Sequence, residues 1–167
     1  MKGDKVKMKE RILSIIEKNS KISIEDLAAA LDEKPDDVAK AIYEMERDKV
    51  ICGYHTIINW SNTTKEKVTA LIEVKVTPQR GLGFDKIASR IYNFDEVNAV
   101  YLMSGGFDLT VILEGKTLQE VASFVSSKLS PLEAVLSTAT HFVLKKYKDH
   151  GTILVSESTR ERMLITP

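Results

Sequence analysis

The chain of 167 residues has a single cysteine, Cys52. No disulfide can close within it, and no cysteine-based zinc site can be assembled from it alone. It has no net charge, since 24 Lys and Arg stand against 24 Asp and Glu. No overall basic field therefore draws it to nucleic acid, although a local patch would be enough. No apolar run approaches the roughly 18 residues that a membrane-spanning helix needs. The first residues, MKGDKVKMKERILSIIEK, alternate charged with apolar residues at helical spacing and lack the continuous apolar stretch of a signal peptide. A cytoplasmic location is expected. The three histidines, His55, His141 and His150, are scattered, and no nucleophile with a neighbouring base can be read. No metal, no cofactor and no catalytic residue is expected. There is no internal repeat and no low-complexity tract.

What is present is the make-up of a soluble globular protein, 43% hydrophobic and 29% charged, long enough for one ordinary domain or two small ones. The first third carries helix signals. Met8, Ile12, Ile15 and Ile16 form one apolar stripe. Ser23 stands three residues before Asp26, a weaker relative of the capping box, and Ile24, Leu27, Ala28 and Leu31 form the stripe that follows. After a polar turn, Pro35 suits the first position of a third helix, with Val38, Ile42 and Met45 on one face. Three short helices with two tight connections predict a helix-turn-helix.

From Val50 the pattern turns to β. Val50 to Ile58 is rich in strand formers, and Asn59 to Lys65 is polar. Val68, Ala70, Ile72, Val74 and Val76 alternate as a half-buried strand does. A loop from Pro78 to Gly83 leads to a helical face of Phe84, Ile87, Ala88 and Ile91. Strands follow at Val97–Met103 and Phe107–Leu113, separated by Ser104-Gly105-Gly106. A second helical face holds Leu118, Val121, Ala122, Val125 and Leu129, and a last strand runs from Val135 to Tyr147. The order β-α-β-β-α-β is that of the ferredoxin-like split unit.

The expected class is therefore α+β: a winged-type helix-turn-helix over 1–50, a linking strand and linker over 51–65, a ferredoxin-like domain over 66–150 and an extension over 151–167. The extension has two apolar runs, Ile153-Leu154-Val155 and Met163-Leu164-Ile165, around Ser156–Arg162, which suits a β-hairpin. Residues 1–60 hold 11 Lys and Arg against 12 Asp and Glu, and residues 61–150 hold 11 against 10. The helix-turn-helix is not the basic half.

Several motifs, in order and at matching spacing, resemble the Lrp/AsnC family of regulators. Glu25-Asp26-Leu27-Ala28 is similar to the family's "eLA". Pro35, Val38, Ile42, Glu46, Val50, Ile51, Gly53 and Tyr54 match its SPxxVxxRIxxLExxGVIxGY run without a gap. Gly105-Gly106-Phe107-Asp108 resembles its G-x-x-D turn, and Thr138-Ala139-Thr140 its T-x-T entry to the last strand. The chain departs from the run at Lys34 (serine), Ala41 (arginine) and Lys49 (glycine), and the missing arginine is expected to remove a phosphate contact. The resemblance implies a homodimer that pairs through its sheets, with the linking strand helping, and assembles to an octamer or similar. It also implies an amino acid or related small molecule bound near the G-x-x-D turn, between dimers, and double-stranded DNA bound by paired helix-turn-helix units.

The site residues follow. Asp36 and Asp37 open the third helix, where carboxylates favour the positive end of the helix dipole by about 0.3–1 kcal/mol each. They then compensate for Lys34, which cannot cap as serine would. Read functionally, a carboxylate can accept from cytosine N4, but phosphates repel it. Lys34, Asp36, Asp37, Lys40 and Arg47 are the DNA-facing candidates, with Lys40 at a position that is often basic in the family. Weak single contacts multiplied over an oligomer would suffice, since multivalency supplies a factor of about 10²–10⁴. For the effector, Ser104, Gly105, Gly106, Phe107 and Asp108 are the expected site. Amides and hydroxyls would meet its carboxylate and Asp108 its ammonium. Thr138 and Thr140 share a strand face and are secondary. Each has a plain structural reading: turn glycines, a core phenylalanine and β-prone threonines. Two alternatives stay open. One is an amino-acid-binding oligomer without DNA binding. The other is a decarboxylase of sirohaem-type tetrapyrroles, for which the basic-histidine cluster is missing.

Overall fold

The computed structural model describes residues 2–77, 83–115 and 117–155. The chain divides into two compact units, Met1–Thr56 and Ile57–Pro167. The first holds α1 (Lys2–Ile16), α2 (Ile24–Leu31) and α3 (Pro35–Arg47). Ile12, Leu27, Ala28, Leu31, Val38, Ala41, Met45 and Ile51 form its buried core, with Met8, Ile15, Ile16 and Ile42 packed at the edge. Ile24, expected in the stripe, is exposed, because it occupies the first turn of α2 ahead of the packed positions. The Ser23 hydroxyl accepts from the Asp26 amide (3.1 Å) and donates to the Asp26 carboxylate (2.7 Å), which ties the helix start together. Ala41 faces the core, so its place in the sequence is a packing position, and an arginine there would have to run its stem outward to reach a phosphate.

Lys49 explains another departure from the family run. Its φ is +58°, the left-handed conformation that ends α3. The amides of Val50 and Ile51 both return to the Met45 carbonyl, at 2.8 and 3.1 Å. A side chain in that conformation costs about 1–2 kcal/mol, which glycine avoids. Beyond it, the strand expected from Val50 to Ile58 does not form. Its first two amides are already taken by the Met45 carbonyl, and among the described residues no strand pairs with the rest of the segment. The Tyr54 hydroxyl donates to Glu46 at 2.8 Å, joining two positions of the family run across the end of α3.

The second unit holds β1 (Val68–Val76), α4 (Asp85–Tyr92), β2 (Val97–Leu102), β3 (Leu109–Gly115), α5 (Leu118–Phe124) and β4 (Val135–Phe142). The sheet order is β2-β3-β1-β4, all antiparallel, which is the ferredoxin-like arrangement. Ala70, Ile72, Val74, Leu109, Val111 and Leu113 of the two central strands pack against Ile87 and Ile91 of α4 and Val121 and Phe124 of α5. After Phe124 the helix widens into a π-helical turn, Val125–Leu129. This shifts the buried face to Val121, Phe124 and Leu129, leaving the expected Leu118 and Ala122 exposed. Phe124 meets Phe94 edge to face, with ring centroids 5.4 Å apart.

β4 stops at Phe142, five residues short of the expected strand. β1 begins at Val68, and once the Val143 amide has reached the Thr69 carbonyl there is no neighbour left to pair with. The chain then makes a small hairpin of its own, β5 (Lys148–Asp149) with β6 (Thr152–Ile153), turning through His150 and Gly151, both at positive φ. The expected 78–83 loop, except Gly83, and the second half of the expected C-terminal hairpin lie outside the described residues.

Replacing Lys49 by glycine should stabilise the first unit. The relieved strain, less the extra freedom of an unfolded glycine, comes to about 0.5–1 kcal/mol, to be read from a denaturant titration.

Candidate functional site

α3 presents Asp36, Lys40, Tyr43 and Arg47 on its solvent side. At 100° per residue, positions i, i+4, i+7 and i+11 fall on one stripe, opposite the buried Val38, Ala41 and Met45. Asp37 flanks it. Lys34 makes no side-chain cap, and Asp36 and Asp37 are exposed and have no side-chain partner among the described residues. Arg47 is engaged by its neighbour, its Nε donating to Asp48 at 2.8 Å. The pair is exposed and screened by solvent, so a phosphate can displace it. Tyr43 is the residue that sequence reasoning missed. It is 65% exposed in the middle of the stripe. The signal was present, since an aromatic at helical spacing from Lys40 and Arg47, off the apolar face, has no packing role. On the flank, Lys9 holds Glu44 at 2.9 Å, and that hydrogen bond keeps the Glu44 carboxyl below its ordinary value.

The second candidate site sits where β1 outruns β3. The ladder between them ends at Val74 and Leu109, while β1 continues to Val76. Asp108 bridges the difference: its amide donates to the Val74 carbonyl (3.1 Å), and its Oδ2 accepts from the Val76 amide (2.8 Å). The carboxylate stands in for the carbonyl of a strand residue that is not there. The Met103 amide closes the loop on the Asp108 carbonyl at 2.8 Å. Between these bonds, the amides of Ser104 to Phe107 have no hydrogen-bond partner among the described residues. Gly105 has φ +143° and needs to be glycine. Gly106 does not, so turn geometry accounts for one glycine rather than for both. A side chain at Gly106 would meet no atom of the chain within 4 Å. Ser104 is exposed and Phe107 half-buried.

The threonines are placed less closely. Thr138 pairs with Val74 and Thr140 with Ile72, so both face the helix-covered side of the sheet. Thr138 reaches the same sheet end as Asp108, but β1 lies between them, a separation of about 10 Å. Its hydroxyl is 3.4 Å from that of Ser130. Thr140 lies one pair further in. The histidines do not converge: His141 is 3.4 Å from Glu73, and His150 binds Asp149. Among the described residues no group of His, Cys, Asp and Glu is arranged to hold a metal, and no helix is long and apolar enough to cross a membrane.

Residues 69–153 match the family of Lrp/AsnC ligand binding domains. The uncharacterized HTH-type transcriptional regulator YugG of Bacillus subtilis is 45% identical over 157 residues, 93% of this chain and 95% of its own. The chain belongs to the Lrp/AsnC family. It is a helix-turn-helix transcriptional regulator with an Lrp/AsnC ligand-binding domain, and not an enzyme, which removes the decarboxylase alternative. The leucine-responsive regulatory protein of Haemophilus influenzae is 23% identical over 145 residues, 87% of each chain. A transcriptional regulator of Neisseria meningitidis, solved as its L-Met complex, shares the Lrp/AsnC fold with a TM-score of 0.69 at 17% identity. That likeness covers 88% of this chain and 94% of that one.

Two substitutions separate the structural from the binding role of Asp108. Asp108→Ala leaves the Val76 amide without an acceptor and should cost about 1–3 kcal/mol of stability. Asp108→Asn keeps an acceptor oxygen and should cost much less. A thermal melt of the two variants beside the unmodified protein makes the comparison.

Proposed function

We propose that this regulator binds its DNA sequence-specifically through α3 and senses an amino acid at the Gly105 turn, working as a homodimer or a larger ring of dimers. The observation that carries the effector reading is the row of free amides from Ser104 to Phe107 beside the unengaged Oδ1 of Asp108. Free amides suit a carboxylate, and the carboxylate oxygen suits an ammonium. Together they are complementary to a zwitterion. The naming of one relative as leucine-responsive and the L-Met complex of another support the same class of ligand. The open space over Gly106 leaves room for the ligand or for a neighbouring subunit to close the site. Thr138 and Thr140 are then outlying, reached only by a ligand with a long side chain or from a second copy.

Assembly is supported by two unmet demands. Residues 52–58 are exposed at Tyr54, Ile57 and Ile58 and have no strand partner among the described residues. The sheet face away from α4 and α5 carries Leu71, Tyr101 and Ile112, with no covering element among the described residues of this unit. A second copy would satisfy both. The domain limits follow the same reading, with DNA binding in 1–50, a linker over 51–65 and sensing over 66–150.

On α3, Lys40, Tyr43 and Arg47 are assigned to the duplex, with Lys34 at its edge and Asp36 and Asp37 at the leading turn. The unpartnered aspartates are what keeps a second reading, an amino-acid-binding oligomer without DNA binding, in view.

Binding to a fragment upstream of the gene, against a scrambled fragment and with a pool of amino acids added or omitted, decides between them. A preference for the native fragment that the pool alters is expected; no preference under any condition favours the second reading. Lys40→Gln should lower the salt slope of log K by about 0.9 for its lost phosphate contact, and Tyr43→Ala should reduce the preference itself. Asp108→Asn should weaken amino-acid binding about tenfold or more by calorimetry. Tyr101→Asp, on the uncovered sheet face, should lower the mass found by light scattering.

A further inference from the structure

The first unit is slightly acidic, so the cations of α3 have no net positive surplus behind them. In the second unit lysines gather at one surface. Lys65 and Lys67 follow a short helical turn, Trp60–Asn62, and their ammonium groups stand 5.3 and 4.5 Å from the Trp60 ring centroid. Lys145, Lys146 and Lys148 lie in the segment that leaves β4, with Lys145 5.1 Å from the Tyr147 ring. These two stretches, some 80 positions apart, are bound to each other. Asn59 Nδ2 donates to the Leu154 carbonyl (2.6 Å), and the Leu154 amide to the Tyr147 carbonyl (3.0 Å). Glu114 holds Lys67 at 2.8 Å and Lys146 at 3.8 Å on one carboxylate.

The charge does not cancel. Burial pushes the Glu114 carboxyl up, but Lys67 and Lys146 outweigh it and hold the group below its ordinary value, so it stays ionised and neutralises part of its two partners. Lys146 also stands 3.8 Å from Asp149. Lys65, Lys145 and Lys148 are exposed and have no carboxylate partner among the described residues. Aromatic faces restrain Lys65 and Lys145, so less side-chain freedom is lost when they meet an anion.

We infer that this lysine surface around Trp60 and Tyr147 is a second DNA-contacting site, taking phosphates of the duplex. It rests on the DNA-binding reading above and adds to it the source of the electrostatic affinity. Such contacts carry no sequence information; they supply counterion release and hold the duplex in register.

The test uses the full chain and measures affinity for the native and the scrambled fragment over a range of salt. The protein is compared with a triple variant, Lys65→Gln, Lys145→Gln and Lys148→Gln, with the single Lys148→Gln, and with the three positions changed to arginine. The salt slope should fall by about 0.9 for each lysine that reaches a phosphate, with affinity down about tenfold or more near 0.1 M salt in the triple variant. The arginine variant should keep the slope, and the ratio of native to scrambled affinity should not change. Unchanged slope and affinity in a glutamine variant that melts like the unmodified protein overturn the inference while leaving specific binding intact. An unchanged slope with an altered oligomer mass overturns it in favour of a subunit contact. Binding without sequence preference, but with the slope loss, overturns the specific reading and supports this surface. No binding to any duplex overturns both.

Discussion

The amide of Val76 has to find an acceptor outside the backbone ladder, because β1 runs on after β3 has begun to turn away. Leaving it unpaired in a half-buried place would cost about 1–3 kcal/mol. Asp108 supplies the acceptor with its side chain and, with its own amide and carbonyl, ties the loop to Val74 and Met103. One residue thus fixes where β3 starts, how the loop closes and which amides are left over. The amides from Ser104 to Phe107 have no partner among the described residues because Asp108 has ended the ladder beside them. The receptor-like character of this sheet end is a consequence of how the sheet is finished, and a carboxylate with one oxygen committed and one free serves both purposes.

The two units solve opposite problems. The first buries a small apolar core and spends its surface on α3, whose outward stripe mixes acid, cation and aromatic. It tolerates a left-handed Lys49 to end that helix where a glycine would be easier. The second has a complete core on one side of its sheet and an open face on the other, and it collects lysines where the start of β1 meets the segment after β4. The chain's zero net charge hides this division. What matters for a polyanion is the local surplus of cations that lack carboxylate partners, and such a surplus sits on the domain named for ligand binding.

The elements that were legible in the sequence are those with an uninterrupted period. The 3.6-residue stripes of α1, α2 and α3, and the strict alternation of β1, each depend on neighbours close in the chain, so local pattern is sufficient. The two misplaced strands have one cause. The strand expected from Val50 to Ile58 has the right residues but no partner, and the last strand was drawn five residues too long because its end is set by where β1 begins. The shift of the buried face in α5 comes from a π-helical turn that no spacing of apolar residues announced. The Gly105 turn was legible through its glycines, yet only the backbone angles show that one of the two is needed for the turn. Asp108 was legible as an aspartate out of place at a strand start; that it completes a ladder was not. Tyr43 carries no charge, but its position off the apolar face marks it.

The sequence by itself determined the order of the helices and of the four sheet strands, most of the membership of the two cores and, through spaced motifs, the Lrp/AsnC family, because periodicity and local chemistry are written in consecutive residues. Only the tertiary structure decided what each strand pairs with, which amides remain free and which lysines share a surface. Those properties depend on groups far apart in the chain: Val76 with Asp108, Asn59 with Leu154, and Lys67 with Lys146 across Glu114.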